Sequence, residues 1–272
     1  MWVALLVTAT IIASLVAINW DAYSYAASAL QSGYTWIIIG TLGFVFLPLF
    51  FWGDPIPSAG SARRRDRTLV ILDMNNFLVW RLFDAELEKN RPLYAPILHH
   101  AAHLGQHMTW RRKGLDEFID FLLANFDVAV WSSAWQKNVT LLCDHVFGDK
   151  RDQLIFEFDQ THCGVVKPHP TPGETKPLFI KNLDTVWREF PGVYTRENTL
   201  MIDDSPLKAR ENPVGSLYQV YPWYPLQGKG LQDDGLEEIQ AVLAAYLRDG
   251  RTVPEFFTGV KPQREGNRVE IF

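Results

Sequence analysis

Acidic residues follow two short apolar runs of the sequence. Asp73 comes directly after residues 69–72, and Asp203 and Asp204 come directly after residues 199–202. Such runs are typical of buried parallel strands, and open α/β sheets carry their chemistry where these strands end. Carboxylates that meet at one edge repel each other unless a cation lies among them. The pattern therefore predicts a cation-binding crevice.

A third apolar run brings neutral polar groups to the same edge. Residues 127–131 are followed by Ser132 and Ser133, and Asn75 stands two residues after Asp73. Because the carboxyl ends of parallel strands meet at one edge of a sheet, we expect these side chains to lie together. Three strand ends then offer carboxylates, hydroxyls and an amide to one crevice.

Helices must connect these strands if the sheet is parallel. Apolar residues recur at helical spacing in 115–124, between the first and third runs. Strand, helix and strand at this spacing imply right-handed crossovers. We therefore predict a three-layer α/β domain with a Rossmann-like parallel sheet. The other predicted elements are a strand at 154–158, a loop at 165–175, and helices at 135–146, 176–190 and 235–248.

The polar residues of the crevice resemble those of a known family. The similar blocks are Asp73-x-Asn75, Trp131-Ser-Ser-Ala134, Lys176-Pro-Leu-Phe-Ile-Lys181 and Asn198-Thr-Leu-Met-Ile-Asp-Asp-Ser-Pro206. They resemble the phosphatases of the RNA polymerase II C-terminal domain, also called NLI-interacting-factor-like proteins, within the haloacid dehalogenase superfamily. The resemblance covers about residues 67–224, and it implies a haloacid dehalogenase-like fold.

The resemblance implies a role for each of these residues. Asp73 would be the nucleophile that takes the phosphoryl group, and Ser132 would hydrogen-bond the phosphoryl oxygens. Lys181 would neutralise phosphate charge, as phosphoryl transfer requires. Lys176 is the alternative lysine, but Phe-Ile-Lys-Asn-Leu around Lys181 matches the family pattern, whereas Lys176 precedes a proline.

The same resemblance implies a magnesium site. Asp73, Asp203 and Asp204 would hold Mg²⁺, because this ion prefers hard oxygen ligands together with water and phosphate. The backbone carbonyl of Asn75 could be a further ligand. The alternative is that residues 203–206 form only a strand-terminal turn, since Asp, Ser and Pro are common in turns.

The sequence departs from the family at Asn75. Active members carry a second aspartate there, which protonates the leaving alcohol and later activates water, and an amide can do neither at neutral pH. Phe77 also replaces the usual threonine, so a bulky apolar group stands where a small hydroxyl is expected. Asp73-Met-Asn75 resembles a branch of the family, common in plants, that reads Asp-Leu-Asn.

Three functions are consistent with this departure. Loss of one general acid or base lowers a rate by about 10²–10⁴-fold, which would leave a weak phosphatase with an intact phosphate pocket. The first hypothesis is a membrane-anchored pseudoenzyme that binds phosphoprotein or acts as a scaffold. The second is a working Mg²⁺-dependent protein Ser/Thr phosphatase that recruits another acid. The third is a subunit of a mitochondrial protein-import translocase, although the N-terminus lacks an Arg-rich amphipathic presequence.

Two uncharged apolar segments precede the domain, at about residues 2–18 and 36–52. Each is roughly 17 residues long, near the lower limit for a membrane-spanning helix. Tryptophans mark their ends, as interfacial aromatic residues do. A cleaved signal peptide is the alternative for the first segment, but a basic start and a clean small-residue cleavage site are missing. We therefore expect a hairpin of two transmembrane helices.

Basic residues indicate the orientation of this hairpin. Arg63, Arg64 and Arg65 lie in a turn-rich linker, residues 53–66, directly after the second apolar segment. By the positive-inside rule, the domain is expected on the cytosolic face of a membrane that the sequence does not identify. The phosphatase-like domain is expected at 67–250 and a C-terminal tail at 251–272.

The net charge and the cysteine content indicate which classes of partner and which compartment to expect. The formal net charge of −5 provides no broad basic surface, so nucleic acid is not expected as a partner. The expected partners are a phosphoprotein and, through the N-terminal helices, a membrane. The two cysteines form no disulfide framework and suit a reducing compartment.

A histidine-rich segment lies between the first two strands of the predicted sheet. It contains His99, His100, His103 and His107, and the last two are spaced to bind a metal from one face of a helix. No cysteine or clear acidic partner lies nearby in the sequence. A solvated helix or an insert beside the substrate is therefore favoured over a metal site.

Overall fold

The structure is a computed structural model that describes residues 67–261. The expected membrane helices at 2–18 and 36–52, the linker at 53–66 and the tail from residue 262 onward lie outside the described residues. Between residues 67 and 261, no helix is both long enough and apolar enough to cross a membrane. The expected membrane hairpin therefore stays a prediction from the sequence.

Short strands and helices alternate along the described chain. The strands are β1 Leu69–Leu72, β2 Val79–Phe83, β3 Ala101–Leu104, β4 His107–Arg111, β5 Asp127–Trp131, β6 Glu157–Phe158, β7 Gly164–Val166, β8 Leu178–Ile180, β9 Thr199–Asp203 and β10 Leu217–Gln219. The α-helices are α1 Asp84–Lys89, α2 Arg91–Tyr94, α3 Leu115–Asn125, α4 Gln136–Phe147, α5 Asp184–Glu189, α6 Gly235–Asp249 and α7 Val253–Phe257.

Five strands form a parallel central sheet in the order β10-β9-β1-β5-β6. All four residues of β1 are fully buried, which agrees with its uninterrupted apolar sequence. The predicted strands at 69–72, 127–131 and 199–202 are therefore confirmed, and they are neighbours in the sheet. β1 lies at the centre, between β5 and β9, so residues that follow it are flanked by two other strand ends.

Helices cover both faces of this sheet. Val70 and Leu72 belong to a large core cluster with buried residues of α3, α4 and α6. Leu69 and Ile71, which point to the opposite face, belong to a second cluster with Val186 of α5. Because successive residues of a strand point to opposite faces, one apolar strand supplies two cores. The predicted three-layer α/β architecture is confirmed.

Helix α3 shows how the local sequence determines where a helix begins and which of its faces is buried. Gly114 precedes it with φ of 75°, a left-handed conformation that glycine adopts without steric cost. Leu115, Phe118, Ile119 and Leu122 are buried, and their spacing places them on one helix face. This predicted helix and those at 135–146 and 235–248 are confirmed, with ends that differ by at most one residue.

The helix predicted at 176–190 is wrong in its first half. Residues 178–180 form β8, which pairs antiparallel with β7, and only residues 184–189 are helical, as α5. Leu178 and Ile180 are buried while Phe179 is partly exposed, an alternation of period two that is typical of a strand. β7 begins at Gly164, and its last two residues fall within the loop predicted at 165–175.

The strand predicted at 154–158 is shorter than expected. Only Glu157 and Phe158 pair, and they do so with Val130 and Trp131 at the end of β5. β6 is the edge of the central sheet. With a neighbour on one side only, residues 154–156 connect to β5 through isolated backbone hydrogen bonds.

The histidine-rich segment is an insert with its own small sheet. β2, β4 and β3 pair antiparallel, and α1, α2 and a short 3-10 helix at Ala95–His100 lie between β2 and β3. Its core contains Trp110, Leu82 and Trp223, with Trp80 and Tyr94 packed against them. The segment is an insert, and its position beside a substrate stays a prediction. The predicted helix that would have carried the last two histidines is wrong, because these residues lie on β3 and β4.

The domain continues past residue 250, where the sequence suggested a tail. Helix α7 follows α6, and its Val253, Phe256 and Phe257 are buried in the large core cluster. Thr252 and Glu255 form a capping box at the start of α7, which satisfies backbone N–H groups that a helix end leaves free. Residues 251–257 are therefore part of the packed domain.

Candidate functional site

The pairing of β1 with β9 brings three carboxylates together. Leu72 lies opposite Ile202, and the N–H of Asp73 donates to the carbonyl of Ile202 at 2.9 Å. Asp73 and Asp203 are therefore neighbours at the carboxyl edge. Ligand oxygens of Asp73, Asp203 and Asp204 all lie within 4.8 Å of one another. The structure thus places the three acidic residues in one crevice, as the sequence suggested.

Lys181 lies between two of these carboxylates. Its Nζ donates to Asp73 Oδ1 at 2.9 Å and to Asp203 Oδ2 at 2.6 Å, and its side chain is 0% exposed. Its position after β8 is fixed by the backbone, since its N–H donates to the carbonyl of Lys208 and its own carbonyl accepts from Asn212. The exposed Lys176 is not part of this group.

A second lysine, Lys208, reaches the same cluster. Its Nζ lies 3.5 Å from Asp73 Oδ2, 3.9 Å from Asp203 Oδ1 and 3.9 Å from Asp204 Oδ1. Lys208 was not predicted as a site residue. Its position four residues after Asp204 was a usable signal, because this spacing lets a lysine and an aspartate pair across one helical turn.

The two lysines keep Asp73 ionised. Burial alone would raise the pKa of Asp73, but the nearby charges of Lys181 and Lys208 outweigh burial and hold that pKa below its usual value. Burial alone would lower the pKa of Lys181, but Asp203 and Asp73 raise it above its usual value. The site is therefore a set of charged groups, and their mutual attraction offsets the cost of removing them from water.

Asp204 has a different environment. Burial, followed by repulsion from Asp73, raises the pKa of Asp204 to about 7, although Lys208 acts in the opposite direction. When a further cation approaches, it stabilises most the ionised form of a carboxylate that lies close to two others. Asp204 is thus the acidic residue whose ionised form the protein alone stabilises least.

Ser132 follows β5 at the same edge and is 1% exposed. Its N–H donates to the carbonyl of Phe158, and its Oγ accepts from the N–H of Ala134 at 3.2 Å. These bonds fix the hydroxyl on the turn that leads into α4. Since β5 is next to β1 in the sheet, Ser132 belongs to the same carboxyl edge as Asp73.

Asn75 lies in a tight loop directly after β1. The N–H groups of Leu78 and Val79 both donate to the carbonyl of Met74, at 3.0 and 3.1 Å. Asn76 has φ of 59°, a left-handed conformation in which asparagine is enriched. Oδ1 of Asn75 is buried and has no hydrogen-bond partner among the described residues. The loop therefore holds an uncompensated amide oxygen two residues from Asp73.

Phe77 lies in the hydrophobic core and not in the crevice, although it stands where the family has a small hydroxyl. It is 0% exposed and belongs to the large core cluster. Its ring meets the ring of Phe118 edge to face, with centroids 6.2 Å apart and an interplanar angle of 77°. The replacement of threonine by phenylalanine thus adds to the core beneath the crevice.

The donor set fits a magnesium ion. Asp73 Oδ2, Asp204 Oδ1 and Asn75 Oδ1 are buried oxygens that accept no hydrogen bond within the described chain. Buried polar atoms normally have hydrogen-bond partners, so buried oxygens without one are available as ligands of a metal ion. All are hard oxygen donors, which Mg²⁺ prefers. Asp73, Asp203 and Asp204 are the residues that could hold it.

The histidines of the insert take part in other contacts. His103 Nε2 lies 2.9 Å from Asp84, and His107 Nδ1 lies 2.9 Å from Arg81. His99 and His100 contact each other through their rings. Across residues 67–261, the acidic cluster around Asp73 is the one group with three or more potential metal-ligating side chains.

Comparison with known proteins identifies the family of these blocks. The family described as NLI interacting factor-like phosphatase matches residues 68–254. An FCP1 homology domain-containing protein of Schizosaccharomyces pombe is 28% identical over 160 residues, which are 56% of this chain and 60% of that protein. A CTD phosphatase-like protein of Invertebrate iridescent virus 6 is 28% identical over 141 residues, which are 50% of this chain and 74% of that protein.

Solved structures with a similar arrangement include two of Fcp1, described as an essential RNA polymerase II CTD phosphatase. One is Fcp1 itself, and the other is the fission yeast protein bound to beryllium fluoride. Each is 12% identical, has a TM-score of 0.43 and covers 68% of this chain. The matches span 50% and 51% of those chains, so this chain corresponds to about half of each.

Proposed function

Because the chain belongs to the NLI interacting factor-like phosphatase family, we propose that its crevice binds phosphorylated protein side chains and hydrolyses them only slowly. One observation carries this proposal. Asp73 is buried, ionised and held by Lys181, while the position of the family's second aspartate is occupied by Asn75. The groups that attract a phosphoryl group are present, and the group that transfers protons is replaced.

Asp73 and Lys181 supply the groups for the first part of the reaction, the attack on phosphorus. The side chain of Asp73 is anchored by Lys181 through Oδ1, so the carboxylate is oriented before a ligand arrives. Orientation of this kind removes part of the entropic cost of attack on phosphorus. Mg²⁺, bound by Asp73, Asp203 and Asp204, would supply positive charge at the phosphoryl oxygens. Ser132 offers a hydroxyl to the same oxygens.

Asn75 limits the second part of the reaction, the departure of the leaving group. Departure of a serine or threonine side chain from phosphorus requires a proton on the leaving oxygen, and a side-chain amide has none to give at neutral pH. Loss of such an acid typically lowers the rate by about 10²–10⁴-fold. A crevice that attracts a phosphorylated side chain but cleaves it slowly is suited to phosphoprotein binding or scaffolding, which is the function we favour.

We also propose that the segments at 2–18 and 36–52 anchor this domain to the cytosolic face of a membrane. Support comes from their uncharged apolar sequences and from the arginines at 63–65. Protease treatment of sealed vesicles should digest the domain from the cytosolic side. Complete protection there would refute the orientation, and release of the intact chain by carbonate would refute the anchor.

A binding and turnover experiment tests the proposed function. Purified full-length chain is titrated with a phosphoserine peptide and with the same peptide unphosphorylated, in the presence of Mg²⁺. We expect tighter binding of the phosphorylated peptide, loss of this preference in Lys181→Met, and slow hydrolysis. Turnover on the order of 1 s⁻¹ or more would instead support a working phosphatase. Equal binding of the two peptides would refute phosphoprotein recognition.

A further inference from the structure

Two lysines divide the oxygens of the acidic cluster between them. Lys181 hydrogen-bonds Asp73 Oδ1 and Asp203 Oδ2. Lys208 faces the other oxygen of each, Asp73 Oδ2 and Asp203 Oδ1, together with Oδ1 of Asp204. The ammonium of Lys208 is thus the cation that all three acidic residues share, on the side where Asp73 and Asp204 have oxygens without hydrogen bonds.

The contacts of Lys208 are longer than hydrogen bonds. Its Nζ lies 3.5, 3.9 and 3.9 Å from the three oxygens, whereas N–H···O bonds usually measure about 2.7–3.2 Å. Lys181, in contrast, bonds its two partners at 2.9 and 2.6 Å. Lys208 therefore balances the charge of the cluster without being tightly bound to any one member.

Lys208 is also able to leave, and Lys181 is not. The side chain of Lys208 is 22% exposed, while that of Lys181 is 0% exposed. The backbone of Lys208 is held, since its carbonyl accepts from the N–H of Lys181 at 2.8 Å. Movement would therefore be confined to the flexible side chain, which can turn toward solvent while the crevice stays in place.

We propose that Lys208 is an internal counter-ion that competes with Mg²⁺ for the oxygens of Asp73, Asp203 and Asp204. When the metal binds, the ammonium of Lys208 moves toward solvent, and when the metal leaves, the ammonium returns. This inference rests on the magnesium site of the proposed function. Its consequence is that Lys208 lowers the affinity for Mg²⁺ while it stabilises the metal-free cluster.

The first test measures Mg²⁺ affinity by isothermal titration calorimetry on the full chain. Lys208→Met keeps an unbranched side chain, shorter by one atom, and removes its charge. Lys229→Met is the matched control, because Lys229 is exposed and pairs with Asp234 outside the cluster. We expect Lys208→Met to bind Mg²⁺ more tightly by about 5- to 150-fold, the usual range for coupled events. Lys229→Met should bind as the wild type does.

Outcomes of this titration separate the inference from the function on which it rests. If the wild type and Lys208→Met bind Mg²⁺ with equal affinity, or if Lys208→Met binds more weakly, the counter-ion role of Lys208 is refuted and the magnesium site stands. If neither protein binds Mg²⁺, the magnesium site itself is refuted, and the counter-ion role with it.

The second test follows Lys208 in the unaltered protein, so it does not depend on a variant that folds. The full chain is treated briefly with an acetylating reagent, with and without Mg²⁺, and labelled lysines are quantified by mass spectrometry. Mg²⁺ should increase labelling of Lys208 severalfold and leave labelling of Lys229 unchanged. Unchanged or reduced labelling of Lys208 would overturn the proposal.

Discussion

Nζ of Lys181 lies 2.6 Å from Oδ2 of Asp203, and neither side chain is exposed to solvent. Removal of one partner of a buried ion pair leaves the other charged and unpaired, which typically costs about 3–5 kcal/mol. We therefore expect Lys181→Met to lower the free energy of unfolding by about that amount, as measured by urea denaturation. Lys229→Met, at a solvent-exposed pair, should lower the free energy of unfolding far less. Equal losses in the two variants would contradict this account.

Magnesium should stabilise the folded domain. A ligand that binds only the native state raises stability in proportion to the logarithm of its concentration above Kd. The melting temperature should therefore rise on addition of Mg²⁺, and Asp204→Asn should weaken the rise. An identical rise in wild type and variant would remove Asp204 from the metal site.

Because Asn75 cannot donate a proton, the rate of hydrolysis should depend strongly on the leaving group of the substrate. Aryl phosphates have stabilised leaving groups and need a general acid least, so the wild type should act weakly on them and hardly at all on phosphoserine peptides. Asn75→Asp should raise the rate with the peptide more than the rate with the aryl phosphate. Asp73→Asn should abolish both reactions, which makes it the control for activity from contaminants. No gain from Asn75→Asp would leave binding as the function.

Phe77 should matter for stability and not for access to the crevice. Its ring is fully buried against Phe118, and replacement of a buried phenylalanine by alanine typically costs about 3–5 kcal/mol. Phe77→Ala should show this loss in urea denaturation. It should not raise hydrolysis of phosphoserine peptides, and a gain in that reaction would show that Phe77 obstructs the site.

Asp159 should contribute pH-dependent stability. Burial acts to raise its pKa, but hydrogen bonds from the hydroxyl and N–H of Thr161 outweigh burial and hold the pKa below its usual value. A carboxyl whose folded pKa is depressed stabilises the fold above its unfolded pKa of about 3.9, and this contribution is lost as the pH falls through the folded pKa. The stability difference between wild type and Asp159→Asn should therefore shrink on going from pH 7 to pH 3. A constant difference would contradict the assignment.

The central strands and the acidic crevice could be predicted because their signals are local. Each of β1, β5 and β9 is an apolar run that ends in polar residues, and parallel pairing necessarily brings those ends to one edge. The same argument predicted that Asp73 and Asp203 lie close together. Their residue types, together with the family resemblance, predicted a cation site.

Other features depend on contacts between distant residues and left weaker local signals. The sequence of β8 does not distinguish a strand from a helix, because its alternation spans only three residues and its partner, β7, borders a proline-rich segment. The direction of Phe77 depends on the turn at Asn76 and on the position of Phe118. Lys208 enters the crevice because its backbone is joined to that of Lys181. Such pairings are set by the assembled fold.

The position of β1 has a consequence for synthesis of the protein. It is the first strand of the described chain and the middle strand of the sheet, with β5 on one side and β9 on the other. Leu69 pairs with Thr199, so its partner is translated 199 − 69 = 130 residues later. At about 5–20 residues per second, roughly 6–26 s pass before the ribosome delivers it. During this time an entirely apolar strand has an unpaired edge, and chaperone binding to nascent chains should concentrate on Leu69–Leu72.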